Sequence, residues 1–137
     1  MWAGLGFLRV VFMLPLSWQF GIGRTIGRIA HRIGAERRAI ARRNIELCFP
    51  EMSADARNKL VHEHFEALGI SLIELGLGRW ASDDYLESIT TIIGAEHIQH
   101  AIDAGYGVIL LSAHFTTLEL SGRVLALHCP PFDAVYR

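Results

Sequence analysis

Ser88-Ile-Thr-Thr-Ile-Ile93-Gly94 and, after a short polar stretch, Gly105-Tyr-Gly107-Val-Ile-Leu-Leu-Ser112 decide how this chain is read. The first run is rich in β-branched residues, which suit a pleated, half-buried surface, and glycine closes it. The second is apolar at four consecutive positions, as expected of a strand buried on both faces. Between them Ala95 to Ala104 reads as a short helix closed by Gly105. Beyond the second strand a helix is expected from about Thr116 to His128, and Phe132-Asp-Ala-Val-Tyr136 opens a third strand. Strand, helix, strand, helix, strand is the grammar of a parallel α/β sheet. Three parallel strands do not complete such a domain, so the sequence reads as a fragment of a longer protein or a truncated gene product.

Upstream the pattern is helical. Leu60, Phe65, Leu68, Leu72, Ile73 and Leu75 form a broad apolar stripe, with Ser53 as the N-cap and Asp55 in the first turn. Gly69 and Gly76 weaken the case for one continuous helix. Pro50 stops the preceding helix, because a residue before proline avoids the helical region. Residues 23–34 place Arg24, Arg28 and Arg32 on one helical face and Ile22, Ile26, Ile29 and Ile33 on another, the pattern of an interfacial helix with a cationic face toward lipid headgroups. Gly23, Gly27 and Gly34 weaken that helix. From Trp2 to Ile22 the chain is almost wholly apolar, about the 20 residues a membrane span requires. This predicts an N-terminal membrane anchor, kinked at Pro15, with Arg9 reaching toward the interface.

Composition agrees with a lipid-facing protein. The chain of 137 residues is 51% hydrophobic, and its net charge of −1 hides an asymmetry. Residues 1–45 carry eight arginines and one acid, whereas residues 46–137 carry five basic and thirteen acidic residues. A basic leading segment suits anionic lipid or phosphate. The arginines alternate with isoleucine and glycine and no nucleic-acid-binding signature is present, so nucleic acid is not the expected partner. Two isolated cysteines, Cys48 and Cys129, exclude a disulfide scaffold. The domain reading is a membrane anchor and interfacial helix over residues 1–34, then an incomplete catalytic domain over residues 35–137.

The chemistry is expected in Ser112-Ala113-His114-Phe115-Thr116-Thr117-Leu118-Glu119. His114 would lie just past the carboxyl end of a buried strand, where ligands gather in open α/β sheets. Thr116 or Thr117 would cap the next helix. Glu119 is five positions on, too far round a regular helix to meet His114. With His114 in the preceding turn, the carboxylate can reach back to the imidazole and fix its tautomer for general-base work. The helix N-terminus would stabilise charge developing on an acyl oxygen. His62-Glu63-His64 lacks zincin spacing and reads as a solvated helix surface; His97 and His100 lack further ligands. No G-x-S-x-G elbow, Walker loop or dinucleotide fingerprint occurs.

The chain resembles the lipid A biosynthesis lauroyl/myristoyl acyltransferases, within the wider His-x4-Asp/Glu acyltransferase group. The resemblance rests on the apolar N-terminal segment with Pro15 and on Arg42-Arg43-Asn44-Ile45-Glu46-Leu47-Cys48-Phe49-Pro50-Glu51. It also rests on Gly69 through Glu74, Gly105-x-Gly107-Val-Ile-Leu-Leu-Ser-Ala-His114 with Glu119, and Val135-Tyr136-Arg137. It implies that His114 deprotonates a hydroxyl of a lipid A precursor, that Glu119 orients His114, and that an acyl carrier protein thioester is the donor. It further implies an acyltransferase-like α/β fold, no metal or other cofactor, and residence at the cytoplasmic face of a Gram-negative inner membrane. Arg137 would open the family's next block, as a substrate-binding residue. The alternatives are a non-catalytic membrane-associated lipid-binding module and a glycerolipid acyltransferase.

Overall fold

The computed structural model describes residues 2–134. Among these residues all regular structure is helical: α1 (Trp2–Phe12), α2 (Leu16–Ile33), α3 (Ala35–Cys48), α4 (Ala54–Trp80), α5 (Asp83–Ile89), α6 (Ala95–Asp103) and α7 (Leu118–His128). The chain forms two compact units, Met1–Gly76 and Leu77–Arg137, which divide within α4.

The expected α/β sheet is absent: none of the described residues forms a strand. Ser82 is the N-cap of α5, its Oγ accepting from the Tyr85 N–H at 3.3 Å, and Asp83 and Asp84 occupy the first turn. Capping and the helix dipole thus draw Ser88 and Ile89 into a helix. The Thr90 hydroxyl donates back to the Leu86 carbonyl at 2.6 Å. Gly107–Ser112 is irregular, with Ile109 96% and Leu111 98% exposed. β-branched residues become a strand only when another backbone completes their hydrogen bonds, and no described segment does so. Of the third expected strand, Phe132, Asp133 and Ala134 are irregular; Val135 and Tyr136 lie outside the described residues.

The expected membrane anchor is likewise corrected. Trp2–Ile22 is not one helix: α1 ends at Phe12, and Pro15, with ψ 144°, is the N-cap of α2. Proline lacks the N–H that would continue the ladder and denies Leu14 the helical region, so it breaks the helix where a kink was expected. Eleven residues of α-helix span about 16 Å, roughly half the ~30 Å hydrocarbon core. No helix among the described residues is long and apolar enough to cross a membrane.

Within the first unit, α2 packs on α4 through glycines. The buried residues of α2 are Gln19, Gly23 and Gly27, while Arg24, Arg28 and Arg32 are exposed. A Cβ added at Gly23 would stand 2.8 Å from the Ile70 Cα, and one at Gly27 2.7 Å from the Glu66 Cα. One added at Gly69 would stand 2.6 Å from the Gly27 N. Absent side chains let the two backbones touch. Gly23, Gly27 and Gly69, which lower helix propensity, therefore form the packing face, and α4 runs unbroken through Gly69 and Gly76. Val61, Phe65 and Ile73 of α4 are buried. On the flank, Ile26, Ala30, Ile40, Ala41, Leu68 and Leu72 contribute to an open apolar groove of about 290 Å³.

Several helix ends match the sequence. The Ser53 Oγ accepts from the Ala56 N–H at 3.2 Å, ahead of α4. α3 ends at Cys48, two residues before Pro50, and Gly105 sits past α6 with φ 79°. In the second unit α5 packs on α7, with Leu77, Ala81, Leu86 and Val124 buried. Arg123 of α7 donates to the Gly78 carbonyl at 3.2 Å and pairs with Asp83.

Candidate functional site

His114 sits in the irregular segment that leads into α7, and it is exposed. A tight turn forms around it. The Phe115 N–H donates to the Ala113 carbonyl at 2.9 Å, and the Leu118 N–H donates to the Phe115 carbonyl at 3.2 Å. Thr117 is the N-cap of α7 by position, with φ −92° and ψ 18°, but its hydroxyl makes no capping bond. The first-turn N–H groups are thus left uncapped by a side chain, at the positive end of the helix dipole. Glu119 lies in that first turn and is exposed.

The geometry brings His114 and Glu119 to one helix entrance without joining them. No hydrogen bond or ion pair links the two side chains, so the expected reach of the carboxylate back to the imidazole is not made. A solvent-facing imidazole with no partner has neither tautomer fixed. What the entrance offers is a histidine, a carboxylate and uncapped backbone donors within one turn. Arg137, the expected substrate-binding residue, lies outside the described residues.

A second cluster of ionisable groups lies on the α2–α4 face, and the sequence reading did not assemble it. Arg28 Nε donates to Glu66 Oε1 at 2.6 Å, and His62 Nε2 lies 3.2 Å from the same oxygen. The hydrogen bond from Arg28 is the main cause holding the Glu66 carboxyl below its usual range. The His31 ring meets His62 edge-on at 5.1 Å and Phe65 at 5.3 Å. Burial first, then the charges of His62, Arg38, Arg42 and Arg32, push the His31 imidazole below its ordinary value. Arg38 also donates to the His31 carbonyl. The legible signal was the i, i+4 spacing of His62 and Glu66, which puts both on one face. His64 points elsewhere, edge-on to Phe65 at 6.0 Å. Among the described residues no group of three or more His, Cys, Asp or Glu is placed to hold a metal ion.

Comparison with known proteins is decisive at the level of family. The family model for bacterial lipid A biosynthesis acyltransferases matches residues 1–137. The chain is 38% identical over 136 residues to the lipid A biosynthesis palmitoleoyltransferase of Escherichia coli and, at the same level, to the lipid A biosynthesis lauroyltransferase of that organism. It is 34% identical over 138 residues to a lipid A biosynthesis acyltransferase of Haemophilus influenzae. These matches take in 99% of this chain but only 43–44% of each relative, so the chain spans less than half their length. No solved structure gives a significant match. With its whole length covered by the family model, the chain belongs to the bacterial lipid A biosynthesis acyltransferase family.

Proposed function

We propose that the protein containing these residues transfers a fatty acyl group from an acyl carrier protein thioester to a hydroxyl of a lipid A precursor. The observation that carries this reading is the family match over every residue, His114 and Glu119 included. His114 acts as general base. It takes the proton of the acceptor hydroxyl as the oxygen attacks the thioester carbonyl carbon. The tetrahedral intermediate then expels the carrier's thiolate, which leaves protonated. Glu119 orients the imidazole once substrate closes the entrance of α7; catalytic hydrogen bonds often tighten only in the substrate complex. The uncapped first-turn N–H groups support the oxyanion. The acceptor is a lipid, so the enzyme works at a membrane surface, which we assign to the cytoplasmic face of the inner membrane. The exposed Arg24, Arg28 and Arg32 meet anionic headgroups there. The relatives are lipid A biosynthesis transferases, which favours a lipid A acceptor over glycerol phosphate.

The test is acyl transfer by the full-length protein with acyl carrier protein thioester and lipid A precursor. His114→Ala is expected to lower kcat by about 10²–10⁴-fold, the usual range for loss of a general base. Glu119→Ala should lose less, and neither should alter the circular dichroism spectrum, because both side chains are exposed. Undiminished transfer by His114→Ala overturns the assignment. The absence of a bond between His114 and Glu119 favours one other reading, a non-catalytic lipid-binding module. Vesicle binding without any transfer by the wild-type full-length protein would establish it.

A further inference from the structure

Two buried polar side chains in the first unit are left with an unsatisfied oxygen each. Gln19 of α2 is 3% exposed and Glu74 of α4 is 8% exposed. Gln19 Nε2 donates to the Phe12 carbonyl at 3.2 Å and the Leu14 carbonyl at 2.8 Å, closing the end of α1, while Gln19 Oε1 has no donor. Glu74 Oε2 has no partner either. An orphaned buried polar atom forfeits its hydration without compensation, so two on one helix pair require an explanation.

The register of the pair supplies it. His31 meets His62, Gly27 abuts Glu66, and Gly23 abuts Ile70. Each step of four residues back along α2 is answered by a step of four forward along α4. Continued for one more step, the same register would pair Gln19 with Glu74, the two residues that carry the unsatisfied oxygens. Two bare acceptors facing each other in a dry interface would repel, whereas a protonated carboxyl is a donor to an amide oxygen. We propose that Glu74 is carried as the neutral acid and donates its proton to Gln19 Oε1, so that Gln19 clasps α1 with its amide nitrogen and α4 with its amide oxygen.

The surroundings favour the neutral form. Between Glu66 and Arg79, α4 has no other ionisable side chain than Glu74, and Glu66 is engaged by Arg28 and His62. The one ionisable group of α1 is Arg9, set over the Phe12 ring, and the first of α2 is Arg24, which is exposed. None of the charged residues of α3, Glu36, Arg37, Arg38, Arg42, Arg43 and Glu46, is among the causes acting on the Glu74 carboxyl. Burial alone pushes the Glu74 carboxyl above its usual range. A carboxyl whose folded pKa is raised stabilises the fold at low pH, and that stability is lost as pH rises from the ordinary carboxylate range through the raised value.

The test compares full-length wild type with Glu74→Gln, in which an amide N–H replaces the acid proton. The wild-type unfolding equilibrium constant should rise at least threefold more than that of the variant between pH 5 and pH 8. The His31 contribution, common to both, cancels. Parallel pH profiles overturn the proposal. Should Glu74→Gln fail to fold, infrared spectroscopy of the wild type at pH 7 decides. A protonated carboxyl stretch that moves to higher frequency in Gln19→Met supports the clasp; its absence in wild type refutes it.

Discussion

The α2–α4 pair and the segment from Tyr106 to Thr117 are made of similar material and end in opposite states. Both carry glycine and bulky apolar residues. In the helix pair the glycines abut backbone, and Val61, Phe65 and Ile73 are buried. In the segment, a Cβ at Gly107 would meet nothing within 4 Å, and Ile109, Leu111 and Phe115 are mostly exposed. A helix satisfies its own hydrogen bonds and needs only a face to bury, whereas an extended run needs a neighbour for its backbone first. The expected catalytic histidine lies in the half that has no such neighbour. The helix pair is therefore where mutations should be read as stability, and the segment is where they should be read as activity.

The sharpest way to break that contrast is to place the same atom in both regions. Gly69→Val puts branched carbon against the Gly27 backbone, where the added Cβ alone would stand 2.6 Å from nitrogen. Backbone cannot swing aside as a flexible side chain can. A loss above about 3 kcal/mol is expected, beyond ordinary overpacking. Gly107→Ala, in open space, should stay within about 0.5 kcal/mol. Urea denaturation followed by circular dichroism checks both, and equal losses would dissolve the distinction.

The same contrast explains what the sequence disclosed. Helix limits were legible where one residue decides them: Ser53 by its hydroxyl, Pro50 by its effect on Phe49, Gly105 by its positive φ. The α6 and α7 helices were read within two residues for this reason. The glycine face of α2 was not legible, since Gly23 and Gly27 lower helix propensity locally and their benefit exists only when α4 arrives. The sheet was not legible, since the β-branched content of residues 88–93 cannot supply a partner strand. At the candidate site, His114 and Glu119 both fall at the entrance of α7, yet their mutual contact depends on a turn geometry that spacing does not fix.

An intermediate effect sharpens the polar side of the comparison. His31 is pushed below its ordinary value chiefly by burial, so the folded state resists protonation that the unfolded chain accepts. Its contribution is present above about pH 6.5 and is lost as pH falls through that value toward the lowered one. Thermal melts of the full-length protein should show the Tm difference between wild type and His31→Phe moving against wild type from pH 7.5 to pH 5, the opposite contribution of Glu74 being common to both.

The smallest effect concerns Arg28 and Glu66. Their 2.6 Å bond looks strong, but the Arg28 side chain is 54% exposed, so solvent screens the pair and its net value is small. Arg28→Gln should lower Tm slightly in dilute buffer, and the difference should vanish at 1 M salt, where the Debye length is about 3 Å. The Gly69 effect should be indifferent to salt, being steric. If both variants lost stability equally at high and low salt, Arg28 would be acting through its packed stem rather than its charge. The α2–α4 interface around Arg28 would then be held by packing rather than charge, as it is at Gly69, leaving the Gln19–Glu74 contact as its polar element.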